Sequence, residues 1–555
     1  MSAPERGADA PLYADALYLA ATVHTMDPAI DGDGIVDAVA VAGGRILAVG
    51  SRDELASLGG PETRIVDFGD ATITPGLNDS HTHVVHGLDI VRGVDLTDLD
   101  ADTVRRLIGG AAAEARPGDW VFGWGLDPNL FTETGFDGRL FDAVTGSVPL
   151  FLRMRDAHSA VINTAAIQAA GITGREEFPD ESWIGVDDEG TPTGYLLELG
   201  AIELVGRALP PETGAERRER LRAVLQGMAD AGIASTHVMD FVDGARELVE
   251  EIEEHGELPI RLRFSPMVHG GATPRDLEEV AALQGVGGRR WVVEGVKFFI
   301  DGTVDNGSAW LETPDAHGQG TLSVWTDPAA YTAALDFFVQ RGIPTATHAI
   351  GDRGVRYVLE ALEAAGEARY RAAHRIEHIE TIPDELVTRF ADLGVAASMQ
   401  PIHGTHHTRA DRTDNWSVRL GEARAARGWR CRDIRDAGGV LALGSDWPVT
   451  PYDPRAMMAD AILRRPVAQP GTAPVQPEQA LTRRMALEGY TSHAAAAGGL
   501  TAETGTITPG KRADLSVFAT DLLGTDPQAF PDVEVVTTIL DGEPVPRGHP
   551  AAARC

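Results

Sequence analysis

The 555-residue sequence predicts an α/β fold: a closed (β/α)8 barrel of the TIM type with a small β-sandwich formed from both chain ends. Three observations carry that expectation. Short alternating strand-like runs occupy the first 73 residues and return from about residue 500. Between about 74 and 499, apolar runs alternate with amphipathic helical stretches, the pattern of βα units around a parallel sheet. Several of those runs end in a histidine, lysine or aspartate. A chain of this length has room for one large domain and a smaller one.

The terminal strands come first. Ala16–Leu19 is followed by Ala38–Val41, which turns through Gly43-Gly44 into Ile46–Val49, and then by Arg64–Val66. A Gly-Gly pair between two β-like runs is a hairpin signal. At the far end, Ala513–Phe518, Val533–Val536 and Ile539–Gly542 read the same way. Segments 1–73 and 500–555 are therefore assigned to the sandwich and 74–499 to the barrel.

Eight candidate strands follow in that middle segment: the run before His81, then Val148–Arg153, Ala234–Met239, Gly295–Ile300, Pro344–His348, His374–His378, Val395–Met399 and Val440–Gly444. Helices fit between them. Gly214 to Ala231, for example, places Leu221, Val224, Leu225 and Met228 on one face. The stretch around 118–200, rich in Trp, Gly, Asp and Pro, is longer than one βα unit requires and reads as an insertion that covers substrate.

Composition narrows the function. The formal charge of −35 argues against nucleic acid and anionic membranes, which need a positive footprint. No apolar run approaches the roughly 18 residues of a membrane helix, and Met1–Arg6 lacks the basic start of a signal peptide, so a cytoplasmic protein is expected. Cys431 and Cys555 form no close-spaced metal motif and no disulfide framework. The 48 basic residues include only two lysines, Lys297 and Lys511. Where arginine is used almost everywhere, a lysine inside an apolar run raises the question of what only a primary amine can do.

The chemistry centres on Thr74-Pro75-Gly76-Leu77-Asn78-Asp79-Ser80-His81-Thr82-His83. On a strand, alternate side chains share a face, so His81 and His83 can reach one cation while Thr82 points away. Imidazole suits zinc and similar divalent ions. Alone, the pair reads equally well as two histidines hydrogen-bonded at a strand end. Lys297, His348, His378 and Asp446 also close predicted strands, and barrel active sites gather at those C-terminal ends. That convergence favours a metal centre.

Further motifs carry a resemblance: Asp156-Ala157-His158-Ser159, Val296-Lys297-Phe298-Phe299-Ile300-Asp301-Gly302, His348-Ala349-Ile350-Gly351-Asp352, Arg375-Ile376-Glu377-His378 and Gly444-Ser445-Asp446-Trp447-Pro448-Val449. With Pro75–His83 and the closing Gly505–Asp514, they resemble the amidohydrolase superfamily, in particular its YtcJ-like group of the amidohydrolase 3 type. The resemblance implies one or two divalent metals, zinc foremost. His81 and His83 would hold a buried metal, His348 and His378 a more exposed one, and Asp446 the buried metal while serving as acid and base. It also implies carboxylation of Lys297 to a carbamate bridging both ions, for which arginine cannot substitute. The rival is a single-metal site with Lys297 as an ordinary cation or with a carboxylate such as Glu198 reaching the metal.

The expected reaction is hydrolysis of a non-peptide C–N bond in a small-molecule amide. Such a metal lowers the pKa of its water towards about 7 and polarises the substrate carbonyl. Asp446 would pass a proton to the departing amine. His158 and Asp156 either orient substrate or bond within their loop. Trp124, Phe131, Trp310 and Trp447 suggest an apolar pocket, with Asp127 and Gln400 as polar anchors. The family includes enzymes that hydrolyse N-substituted formamides to amine and formate, and such a deformylase is the leading expectation. The alternatives are a broader carboxamide or N-acyl amine hydrolase, a heterocyclic deaminase, or a non-catalytic regulatory barrel. His403, His406 and His407 read as loop residues at the entrance or in solvent. Relatives are commonly dimers, so a homodimer stays open, although no stretch marks an interface.

Overall fold

The computed structural model describes residues 13–548, apart from 32–34, 98, 132–134, 156–158, 179–181 and 211. The chain divides into two compact units, one made of 1–83 with 222–552 and the other of 84–221.

In the larger unit, Leu77–Thr82 pairs in parallel with Ile233–Val238, which continues to Arg261–Phe264 and Trp291–Val293. A second all-parallel sheet runs in the order Met267–Val268, Val296–Phe299, Thr345–Ala349, His374–His378, Ala396–Met399 and Leu441–Leu443. Thr82 also pairs in parallel with Trp447, just past the last of these strands. Thr345–Ala349, His374–His378, Ala396–Met399 and Leu441–Leu443 are buried at every position, as expected where helices cover a parallel sheet. Two of the flanking helices, Pro328–Gln340 and Asp352–Ala364, bury Tyr331, Leu335 and Phe338, and Val355, Val358, Leu359 and Leu362. These side chains share one core with Phe298 and Ile300. Burying one such large apolar side chain stabilises the fold by about 1.5–3 kcal/mol.

The run expected as the second strand of this set lies elsewhere. Leu150–Met154 belongs to the smaller unit, in a six-stranded sheet ordered Trp183–Val186, Pro192–Leu197, Ser159–Ile162, Leu150–Met154, Val121–Leu126 and Val94–Asp95. Its pairing with Ser159–Ile162 is antiparallel. The four residues between them are too few for the crossover that a parallel neighbour demands. Arg261–Phe264 stands among the parallel strands instead. Its two arginines disguise it as a surface run, yet Arg261 pairs with Asp514 at 2.7 Å and Arg263 approaches Glu294 at 3.2 Å.

Strands from the first 75 residues and from 515–544 meet in the larger unit. Ala38–Ala42 and Arg45–Gly50 form the expected hairpin, with φ of 58° and 72° at Gly43 and Gly44, the two positive angles a type I′ turn requires. Ala16–Leu19 joins this hairpin to Arg64–Asp67. The second sheet is ordered Thr22–Val23, Thr72–Pro75, Leu515–Phe518, Val535–Leu540 and Glu543–Pro544. Tyr18, Val39, Val41, Ile73, Leu515, Val517 and Ile539 form one apolar cluster drawn from both sheets. Thr72–Pro75 then leads through Gly76 into the strand bearing His81.

Candidate metal centre

His81, next to last in its strand, is wholly buried, with Nδ1 2.6 Å from Glu377 Oε2. Its Nε2 lies 3.5 Å from Asp446 Oδ1 and 3.4 Å from Lys297 Nζ. His83 repeats the arrangement: Nδ1 is 2.8 Å from Asp240 Oδ2, and Nε2 is 3.5 Å from Asp446 Oδ1. His378 places Nδ1 2.8 Å from Gln400 Oε1. A carboxylate or amide oxygen accepts, so in the neutral ring each Nδ1 carries the proton and Nε2 keeps the lone pair. His348 differs. Its Nε2 lies 3.2 Å from the Gly302 carbonyl, which leaves Nδ1 as the lone-pair nitrogen. The His348 and His378 rings are 4.5 Å apart, and those of His81 and His378 are 4.8 Å apart. Ligand-capable atoms of His81, His378 and Asp446 lie within 4.8 Å of one another.

An amidohydrolase family model matches residues 64–546. The chain belongs to the amidohydrolase family. It is similar to YtcJ of Bacillus subtilis (strain 168), which bears the name amidohydrolase, at 28% identity over 91% of this chain and 95% of that one. It is also similar to the N-substituted formamide deformylase of Arthrobacter pascens, at 26% identity over 95% and 97%. A solved metal-dependent hydrolase from Pyrococcus horikoshii OT3 superposes with a TM-score of 0.72 at 22% identity, covering 92% of this chain and 99% of that one. As a member of this family, the protein is a hydrolase of C–N bonds other than peptide bonds.

The local backbone of this amidohydrolase is strained where the cluster forms. His378 and Asp446 hold φ of 74° and 57°, values costing roughly 1–3 kcal/mol each for residues other than glycine. Asp79 and Gly444 lock two ligand-bearing strands together. Asp79 Oδ1 accepts from His81 N at 3.1 Å and from Ser445 N at 3.0 Å, and Asp446 N donates to the His81 carbonyl at 2.7 Å. A Cβ at Gly444 would lie 2.7 Å from His81 N, so only glycine fits there.

Burial sets the protonation states. It holds His81 and His378 well below the usual imidazole range, keeping both neutral and able to donate a lone pair. Lys297, with none of its surface exposed, is lowered by burial to about 8. Burial raises Asp301 to about 7, although Ile350, Gly351 and Trp310 N–H groups all donate to its carboxyl. Two further carboxyls behave alike: Asp79 rises to about 7 and Glu380 to about 8, in each case mainly through burial.

Several sequence expectations change. His403 is not a loop or solvent residue: it lies in the helix Pro401–His407, only 6% exposed, with Nε2 3.9 Å from Asp446 Oδ2. His406 binds Asp460 at 2.8 Å from the same helix. Pro401 in the first turn is the signal that marks this helix. Gln400 bonds His378. Trp447 is buried in the fold, and its carbonyl accepts from His83 N at 2.8 Å. Trp310 packs against Tyr357 with ring centroids 5.2 Å apart. Trp124, Asp127, Phe131 and Glu198 belong to the smaller unit, where Asp127 pairs with Arg155 and Glu198 opens the helix Glu198–Gly206 with φ of 63°. Asp156 and His158 lie outside the described residues. Sequence reasoning misses the roles of Glu377 and Asp240. Strand alternation puts Glu377 on the face of Arg375, which is the available signal.

Proposed function

We propose that this amidohydrolase is metal-dependent and cleaves the formyl C–N bond of an N-substituted formamide, giving amine and formate. The observation that carries the reading is one buried cluster holding four histidines, Asp446 and Lys297, in which hydrogen-bond acceptors at one ring nitrogen leave the other able to donate a lone pair. That donor set suits zinc, and the carboxylate–histidine contacts of Glu377 and Asp240 are of the kind that orient metal ligands. His81, His83 and Asp446 would hold one ion, and His348 and His378 a second. A bound divalent ion would supply Lewis acidity at the substrate carbonyl and lower the pKa of water.

The chain's own residues do the rest. Asp446 accepts a proton from the attacking water and delivers it to the departing amine nitrogen, without which the amine leaves poorly. Oxygen–carbon bond formation and C–N cleavage then balance to formate and free amine. Lys297, buried and lowered to about 8, is uncharged often enough near neutrality to react with carbon dioxide, forming a N–C bond and releasing a proton. The resulting carbamate would bridge two ions. His158 and Asp156 would orient substrate. In this reading the parallel strands close into one (β/α)8 barrel over 74–499, and the terminal sheets form the small sandwich. The similarity to the Arthrobacter deformylase supports the substrate class.

The test is elemental analysis for metal, together with hydrolysis of N-benzylformamide, on wild type and Lys297→Ala. Two ions per chain with formate release, both reduced in the variant, are expected. One ion unaffected by the substitution would sink the bridged site. Release of a longer-chain acid from N-acyl amines, or of ammonia, in place of formate would move the reading to a broader amide hydrolase or a deaminase.

A further inference from the structure

A second polar enclosure surrounds Arg375, three residues ahead of His378. A cavity of about 20 Å³ is lined by His237, Arg263, Ser265, Glu294, Arg375 and Gly498, among others. A water needs roughly 10–15 Å³ of such space, so the cavity has room for one small guest.

Its chemistry is one-sided. Arg375 Nη1 lies 2.6 Å from His237 Nδ1. A guanidinium only donates, so His237 Nδ1 must accept and the ring proton sits on Nε2. That N–H is buried, in a residue 2% exposed, and meets no acceptor among the described residues. Arg263 Nε is also without a hydrogen bond there, since Glu294 Oε2 at 3.2 Å is misaligned. Arg263 Nη1 donates to the Gly498 carbonyl. A buried donor left unsatisfied costs about 1–3 kcal/mol. Two guanidiniums face this space, while Glu377 is turned towards His81 and the Glu294 side chain is 43% exposed. The Thr345 hydroxyl beside it is already bonded to His374 at 2.9 Å. Burial and the two arginines keep His237 neutral, which matches the tautomer assigned by geometry.

We propose that this cavity is a binding site for a monatomic anion of the chloride class, held by His237 Nε2–H and the Arg263 guanidinium. The two polar atoms of the His237 and Arg263 side chains left without a partner, His237 Nε2 and Arg263 Nε, are both donors, and an anion accepts from both without protons of its own to place. The site also touches the metal cluster through two contacts: Arg375 Nε is 2.8 Å from Glu377 Oε1, whose partner oxygen contacts His81. The proposal does not depend on which amide the enzyme cleaves.

Crystals grown in sodium bromide test it directly. A bromide anomalous peak in the cavity is expected, together with a saturable rise in Tm in sodium chloride or bromide that sodium sulfate at equal ionic strength does not reproduce. Gly498→Ala should abolish the halide-specific rise, because its Cβ would lie 2.5 Å from His237 Cε1 and 2.7 Å from Arg263 Nη1. If that variant folds poorly, the wild-type map and Tm series still decide. A cavity peak without anomalous signal, an equal response to sulfate, or bromide found at soaking concentration with no saturable Tm shift would each overturn the anion site.

Discussion

Glu377 Oε2 and His81 Nδ1 are 2.6 Å apart, and neither side chain has any exposed surface. The carboxylate fixes which ring nitrogen bears the proton, and thereby which one can bind an ion. Its other oxygen lies 2.8 Å from Arg375 Nε, so one buried carboxylate ties the cluster to the cation behind it.

Glu377→Gln keeps the shape and removes the charge. Metal affinity should fall about 10–100-fold, the usual loss when such an outer partner is changed. Competition against a chelator measures it. The variant also removes the buried charge opposite Arg375, so Tm should drop as well. Unchanged affinity in a folded, destabilised variant would mean that Glu377 serves stability alone.

Lys297→Arg separates charge from amine chemistry. Arginine keeps the cation but cannot form a carbamate. Turnover should fall by a factor on the order of a hundred or more with the loss of one bound ion, read by elemental analysis and single-substrate kinetics. An active variant with full metal content would contradict the carboxylated lysine.

Glu380 offers a pH test. Burial raises its carboxyl from 4.5 to about 8, with Trp416 Nε1 donating to Oε2 at 2.7 Å. Between those values the folded protein binds a proton that the unfolded chain has lost, so this group's stability is complete below about 4.5 and is lost as pH rises to about 8. Glu380→Gln still accepts from Trp416 and cannot ionise. Its Tm relative to wild type should therefore climb from about pH 5 to about pH 8 and then level, the whole change being worth a few kcal/mol at most. Parallel Tm profiles would refute the shift.

Gly444→Ala should disable the site more than the fold. The added methyl meets the His81 amide and Asp79 Oδ1 at 2.7 and 2.9 Å, forcing apart strands that carry two of the cluster's residues. Misplacing reacting groups by about 1 Å is enough to slow turnover by roughly a hundredfold. A loss of that size, with Tm lowered by only several degrees, is expected from kinetics and thermal denaturation on one preparation. Full activity in the variant would show that the two strands need not meet so closely.

What can be read from the chain follows its periodicities. His81 and His83 announce themselves by a spacing of two on a strand, and Lys297 by standing nearly alone among arginines. Val296–Phe299 and Thr345–Ala349 are apolar enough to be seen as buried strands. Arg261–Phe264 is hidden because Arg261 pairs with Asp514 and Asp541 and because Arg263 is buried with its guanidinium donating to the Gly498 carbonyl, partners that only the fold supplies. His403 reads as a loop residue with His406 and His407, which as neighbours would face opposite ways on a strand, whereas a helix forms there, with Gly404 giving close approach to Trp429. The left-handed backbone at His378 and Asp446 leaves no trace in residue type.

Leu77 N donates to Ser516 Oγ at 3.0 Å across 439 residues, and Gly76 N to the Asp514 carbonyl at 2.8 Å. During translation at roughly 5–20 residues per second, the segment leading to His81 waits roughly 20–90 s for these partners to emerge. The earliest part of the cluster's scaffold to be synthesised is thus among the last to be clamped. A ribosome that stalls before Asp514 leaves a nascent chain with the histidines of the cluster made and their anchoring sheet open.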